Sequence, residues 1–160
     1  MTAPDVSLAD GVIVVVAFVA MEAVSYLAHR FVMHGAGIGL HRSHHQARVG
    51  TFEANDAYPV IFAGVTILAM AAGASLPSLH PVLVAGVGVT LYGACYLFVH
   101  DVYIHGRLGR LPEVALLERL KAAHRIHHLY GGEPYGMLFP VVPSELRLRA
   151  SATSRDPLAT

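Results

Sequence analysis

The amino-acid sequence predicts an all-α integral membrane protein, in which about three transmembrane helices carry a histidine-rich helical cap. Three observations predict this fold class: a strongly apolar composition, three apolar runs, and histidines that cluster beside those runs. Of the 160 residues, 54% are hydrophobic and 14% are charged, and the mean hydropathy is +0.52. This composition is more apolar than that of an ordinary soluble domain.

The apolar runs occupy residues 11–28, 58–74 and 82–99. Each is close to the shortest length, roughly 17 residues, that crosses a bilayer as a helix. The first run lacks a basic flank and a small-residue cleavage site, so we expect a retained helix rather than a signal peptide. The alternative is a soluble bundle of three buried helices, but three such runs in so short a chain leave little polar surface to cover them.

An odd number of spans places the segments after the first and third runs on one side of the membrane. Those segments contain all 11 lysines and arginines, so the positive-inside rule assigns them to the cytoplasm. Because basic and acidic residues are equal in number, the chain lacks the broad positive charge of a nucleic-acid-binding protein. The single cysteine, Cys95, excludes a disulfide framework and a CxxC zinc site.

Two features near the spans are unusual for a membrane protein. Glu22 is a carboxylate midway along the first run, where such a group either faces a functional site in the bundle or is protonated and bonded to a neighbouring helix. Residues 134–142 are apolar but too short to cross, and they contain two prolines. We expect this stretch to be an interfacial or re-entrant segment, a possible fourth membrane element.

Ten of the 11 histidines form four boxes, HxxxxH, HxxHH, HxxxxH and HxxHH, within residues 29–45 and 100–128. Residues three and four apart lie on one face of a helix, so each HxxHH box is predicted to converge on one ion. In HxxxxH the rings are roughly 140° apart on a straight α-helix. One ring must therefore lie where the helix ends or unwinds, which Gly35, Gly37 and Gly39 permit after the first box.

Ten imidazoles exceed what one ion coordinates, so we predict two metal ions, each bound by four or five nitrogens. Imidazole suits Zn, Cu, Fe and Ni. Haem would use only one or two histidines, and structural zinc normally includes thiolates. The predicted ligands are His29, His34, His41, His44, His45, His100, His105, His124, His127 and His128, whereas His80 is expected not to bind metal.

Other catalytic signatures are absent from the sequence. It contains no HExxH, no GxSxG and no P-loop motif. The Glu-x-x-His pattern of soluble di-iron bundles is also missing.

The order of the four boxes resembles that of the membrane-bound histidine-box oxygenases, the superfamily of sterol and fatty-acid hydroxylases. Within it the chain is most similar to the bacterial β-carotene hydroxylases, also through FEANDAYPVIFAG at residues 52–64 and YGACYLFVHD at residues 92–101. The resemblance covers residues 22–139. It implies two non-haem irons, O2 as co-substrate and reduced ferredoxin as electron donor.

The implied reaction is hydroxylation of carbon 3 of the β-ionone rings of β-carotene, which gives zeaxanthin through β-cryptoxanthin; canthaxanthin would give astaxanthin in the same way. The resemblance also implies a bacterial cytoplasmic membrane, from which the carotenoid is delivered. The alternatives are a carotenoid ketolase, a sterol or fatty-acyl hydroxylase or desaturase, and a non-catalytic membrane metal-binding protein. The ketolase and desaturase families usually show three boxes rather than four.

Several residues beside the boxes are candidates for supporting roles. Glu53, Asn55, Asp56 and Asp101 can accept hydrogen bonds that fix imidazole tautomers, or they can cap helix ends. Tyr92, Tyr96 and Tyr103 either line a pocket for the substrate ring or form a packing stripe along the third run. We expect residues 1–160 to form a single membrane-embedded domain, with a polar tail at residues 144–160.

Overall fold

The computed structural model describes residues 7–46, 50 and 52–158. Three long helices dominate it: α1 at Leu8–Leu27, α3 at Ala57–Ser75 and α4 at His80–Leu97. With the helical turns that flank them, the apolar stretches extend over Leu8–Ala36, Ala54–Ser75 and Pro77–Ile104. The prediction of three helices that are long and apolar enough to cross a membrane is confirmed.

The remaining elements are short or lie toward the C-terminus. They are α2 at Ile38–His41, α5 at Ala115–Tyr130 and α6 at Ser144–Ser151, together with 3-10 turns at Arg42–His45, Ala54–Asp56 and Pro77–Leu79. Gly131 ends α5 in the left-handed region, with φ of 66°, which glycine adopts at low cost. Among the described residues every regular element is helical, as predicted.

The described chain divides into two compact units. The first contains the chain up to Met21 together with Tyr58–Ala94. Gly88 of α4 lies against α1 so closely that a Cβ there would be 2.9 Å from the Cβ of Ala17. Small residues permit such close approach between membrane helices. Val15 and Val16 of α1 point outward, with about three fifths of their surface exposed, which suits a lipid environment.

The second unit contains Glu22–Ala57 and the chain from Cys95 onward. Its apolar core is formed by Val99, Tyr103, Ile104, Met137 and Leu158. The tail predicted to be polar therefore contains a helix, α6, and contributes a buried leucine to this core. All ten clustered histidines belong to this unit.

The segment at residues 134–142 is irregular and contains no helix. Its backbone is held by Glu22, whose carboxylate oxygens accept hydrogen bonds from the amides of Met137, Leu138 and Phe139. Of the two alternatives for Glu22, the bonded one is met in a different form, since these partners belong to a loop and not to a helix.

Candidate metal centre

The HxxxxH boxes lie on π-helical extensions of two long helices. The first box lies within Ala28–Ala36 after α1, and the second begins within Phe98–Ile104 after α4 and ends at the C-cap residue, His105. These extensions are defined by hydrogen bonds between residues five apart, such as the one from the His105 amide to the His100 carbonyl at 3.0 Å. A π-helix therefore brings residues i and i+5 together, which an α-helix does not. The ring centroids are 5.1 Å apart for His29 and His34 and 4.7 Å apart for His100 and His105.

The expectation that one ring of each pair lies where the helix ends was therefore incomplete. The backbone does leave helical geometry at Gly35, with φ of −108° and ψ of −116°. The convergence of the rings, however, comes mainly from the π register. Such π segments occur frequently at functional sites.

The imidazole nitrogens form two groups, each with all its potential ligand atoms within 4.8 Å of one another. We call them the first cluster, formed by His29, His34, His41, His45 and His127, and the second cluster, formed by His44, His100, His105 and His124. His128 borders the second cluster, with its Nε2 3.2 Å from the Nε2 of His44. Nine of the ten predicted histidines thus form two groups, and the tenth, His128, lies beside the second.

The HxxHH boxes do not each converge on one group, contrary to the expectation from helical spacing. In the first box, His41 and His45 contribute to the first cluster and His44 to the second. In the second box, on α5, His127 contributes to the first cluster and His124 to the second. Histidines of one box therefore contribute to different clusters, so each HxxHH box connects both clusters.

Several outer ring nitrogens have hydrogen-bond acceptors that fix their orientation. In the first cluster, His29 Nδ1 lies 3.0 Å from the Tyr135 carbonyl. His41 Nδ1 lies 2.7 Å from Oδ1 of Asn55, and His127 Nδ1 lies 2.6 Å from the Gly132 carbonyl. Because a carbonyl oxygen only accepts, these contacts assign the proton to Nδ1. The Nε2 atoms, which point into the cluster, then carry lone pairs.

The geometry of the inner nitrogens fits a bound cation. The Nε2 atoms of His29 and His41 are 3.2 Å apart, and those of His44 and His100 are 3.0 Å apart. Between two lone pairs no hydrogen bond is available, so these contacts are unfavourable without a positive charge between them. Nitrogen ligands about 2.1 Å from an ion and at about right angles are about 3.0 Å from each other, which is the spacing found here.

Carboxylates surround the second cluster. His44 Nδ1 is 3.4 Å from Oε2 of Glu53, and His100 Nδ1 is 3.2 Å from Oδ2 of Asp101. Hydrogen bonding to a carboxylate fixes the ring and increases its basicity as a ligand. Glu53 also caps the turn at Ala54–Asp56, so for this residue the capping and the tautomer-fixing interpretations are both satisfied.

Arg107 connects the acidic groups of this region. It forms two hydrogen bonds with the Asp56 carboxylate, at 3.0 and 2.7 Å, and its Nε is 2.9 Å from Oδ1 of Asp101. Its Nη2 is 3.8 Å from Oε1 of Glu53. Asp56 meets the capping alternative, because its Oδ2 accepts a hydrogen bond from the Glu53 amide at 2.9 Å, and it also binds the arginine. Sequence reasoning missed Arg107, although an arginine directly after the second HxxxxH-Gly was a visible signal.

Burial favours the neutral form of five clustered imidazoles that lie outside the membrane spans. Desolvation lowers the pKa of His41 to about 4 and that of His45 to about 3. It also lowers the pKa of His124, His127 and His128 well below the usual 6.5. Neutral rings are the form that binds metal. The hydrogen bond with His44 is the main reason why the pKa of Glu53 is lowered.

The three tyrosines occupy different environments. Tyr96 stacks on His100 with ring centroids 5.2 Å apart. Tyr103 belongs to the core, and its hydroxyl donates to Glu118 at 2.6 Å. Tyr92 packs edge-on against Phe18 within the first unit. Tyr96 therefore lies against a clustered histidine. Tyr135, which was not predicted, lies within 5.2 to 5.4 Å of the rings of three clustered histidines.

His80 lies apart from these clusters in the sequence, at the start of α4. Its Nε2 is 3.3 Å from Oδ1 of Asp10, and its side chain is 54% exposed. It belongs to the first unit, whereas the clusters belong to the second. That His80 does not bind metal stays a prediction.

Comparison with known proteins adds the following similarities. Residues 14–143 match the family model described as fatty acid hydroxylase. The chain is 38% identical to the beta-carotene hydroxylase of Pseudescherichia vulneris over 88% of its length and 82% of that protein. It is 38% identical to the beta-carotene hydroxylase of Pantoea ananas over 91% of its length and 85% of that protein.

A chloroplastic beta-carotene 3-hydroxylase of Haematococcus lacustris is 39% identical over 79% of this chain and 41% of that longer protein. No solved structure matches the chain significantly.

Proposed function

Because the chain belongs to the fatty acid hydroxylase family, we propose that it is a membrane-bound oxygenase that hydroxylates carbon 3 of the β-ionone rings of β-carotene. The product of two such reactions is zeaxanthin, formed through β-cryptoxanthin. The names of the bacterial relatives support this substrate, and the name of the Haematococcus lacustris 3-hydroxylase also supports this ring position.

The observation that carries the proposal is the pair of histidine clusters. The clusters offer nine or ten imidazole nitrogens in two groups, without thiolate ligands, a donor set that suits two non-haem irons. Iron, when bound, supplies an O2-derived oxidant strong enough to attack an unactivated C–H bond. For each hydroxylation, one oxygen atom enters the C–H bond, and the other is reduced to water with two electrons and two protons.

The residues of the chain hold and shield this site. The acceptors on the outer nitrogens, Asn55 for His41 and Glu53 for His44, keep Nε2 of each ring directed inward. Tyr96 stacks on the His100 ring and Tyr135 packs edge-on against His29, so both aromatic rings shield the clusters. No acid–base side chain is required to activate the substrate, since its ring has no polar group to protonate.

We further propose that the clusters lie on the cytoplasmic side of a bacterial cytoplasmic membrane. All lysines and arginines flank the boxes rather than the hairpin between α3 and α4. This side gives the polyene lateral access from the bilayer and gives reduced ferredoxin, the proposed donor, access from the solvent.

The test is pigment analysis of cells that accumulate β-carotene and express this chain. We expect zeaxanthin together with β-cryptoxanthin by chromatography. Exposed His80 serves as the matched control: His80→Ala should preserve the products, whereas His127→Ala should remove them. Unchanged β-carotene with verified iron-loaded protein would refute the substrate assignment, and ketolated products would indicate a ketolase.

A further inference from the structure

The carboxylate of Glu22 is surrounded by three successive backbone amides. Oε1 accepts from the amides of Met137 at 2.9 Å and Phe139 at 3.1 Å, and Oε2 accepts from the amide of Leu138 at 3.1 Å. Consecutive amides that converge in this way form an anion-binding concavity. Here the anion is a side chain of the first membrane helix, within the apolar stretch Leu8–Ala36.

The loop held by Glu22 leads directly to the first cluster. The carbonyl of Tyr135 accepts from His29 Nδ1 at 3.0 Å, and the carbonyl of Gly132 accepts from His127 Nδ1 at 2.6 Å. The Tyr135 ring also contacts both imidazoles, with centroids 5.4 Å from each. The position of this loop therefore determines the orientation of two of the five rings in the first cluster.

The fit around the carboxylate leaves no room for a side chain at Gly136. A Cβ at this position would lie 2.6 Å from Oε1 of Glu22. A methyl group there would displace the carboxylate from the amides. The glycine therefore permits the contact that the glutamate makes.

We propose that Glu22 is a positioning residue for the first metal site. It anchors the loop at residues 132–139, so that His29 and His127 keep their protons on Nδ1 and direct Nε2 toward the ion. The inference rests on the proposed function, because it requires that the first cluster binds a metal. The outer partners identified for the second cluster, Glu53 and Asp101, lie outside this loop, so the effect is specific to the first site.

The substitution Glu22→Gln removes the negative charge but keeps nearly the same side-chain shape. The amide keeps one oxygen acceptor but places an NH2 donor against backbone N–H groups, so at least one amide loses its partner. Loss of outer partners of metal-binding histidines typically weakens metal affinity by about 10- to 100-fold. Since Glu22 contacts the loop and not the histidines themselves, we expect the metal affinity of the first site to fall by about tenfold, the lower end of this range.

The experiment uses the full chain, purified without metal in detergent and titrated with Co2+ against a competing chelator. His127→Ala and His100→Ala identify the first and second sites in the titration. Asp10→Asn is the matched control, since it removes a carboxylate from the same helix but in the other unit. Hydrogen exchange at the amides of residues 137–139 provides a readout that does not require metal.

We expect Glu22→Gln to weaken the first site about tenfold, to leave the second site unchanged and to accelerate exchange at residues 137–139. Equal weakening of both sites would show a general structural role and overturn the proposal, as would two unchanged sites. If Glu22→Gln does not fold, Gly136→Ala gives the same test, with Gly93→Ala as its control because a Cβ there meets nothing within 4 Å. A wild-type chain that binds fewer than two ions would instead refute the proposed function.

Discussion

Replacement of Arg107 by methionine tests how the acidic shell of the second cluster is stabilised. The arginine is the shared cation of Asp56, Asp101 and Glu53, and its side chain is only 17% exposed. Methionine preserves most of the aliphatic stem but removes the charge. Three carboxylates would then face one another without the arginine, while two of them still orient His44 and His100.

The size of the effect follows from the burial of these groups. Removing one partner of a buried ion pair costs about 3–5 kcal/mol, because the other charge stays buried. We adopt the lower limit, about 3 kcal/mol, because the carboxylates are partly exposed at 9% to 22%. For a chain of this length, each kcal/mol changes Tm by about 2–4 °C. We therefore expect a decrease of about 6–12 °C.

Thermal unfolding of the purified chain in detergent measures this change. Arg147→Met, at an exposed position on α6, is the matched control and should change Tm by less than about 2 °C. The double variant Arg107→Met with Asp56→Asn should recover part of the loss, since it removes one of the uncompensated charges. An Arg107→Met chain with the Tm of the control would refute the reasoning.

Further predictions concern the histidines. His44→Ala and His127→Ala should each lower iron content and abolish product formation, whereas His80→Ala should leave both near wild type; retained activity in His44→Ala or His127→Ala removes that residue from the ligand set. Metal-free protein should lose stability as pH falls below about 6.5, because unfolded histidines take up protons there while His41 and His45 have pKa values of about 4 and about 3 in the folded state. This loss should continue down to about pH 3 and be measurable by chemical denaturation; a stability that rises over the same range would contradict it.

The sequence sufficed for the elements whose signal is local. Apolar runs predicted the three long helices, and the repeated boxes predicted that ten histidines assemble. The π register of the HxxxxH boxes was not predictable from helical spacing, because a 3.6-residue period separates His29 from His34. Only the packing of both rings into one cluster favours the wider turn.

Contacts between residues far apart in the chain were also not predicted from the sequence. Glu22 is recognisable in the sequence as an unusual carboxylate, but its partners lie 115 to 117 residues away. The pairing of Asp56 with Arg107 spans 51 residues. Leu158 lies in a stretch whose composition suggested a solvated tail, yet it is buried in the core. A single sequence carries no signal that connects such pairs.

The most direct test of the account supplies 18O2 to β-carotene-accumulating cells that express the chain and analyses the carotenoids by mass spectrometry. We predict zeaxanthin with 18O in both ring hydroxyls, and no labelled product when His44 is replaced by alanine. Hydroxyl oxygen derived from water, or labelled product from the His44→Ala chain, would contradict O2-dependent hydroxylation at the histidine clusters.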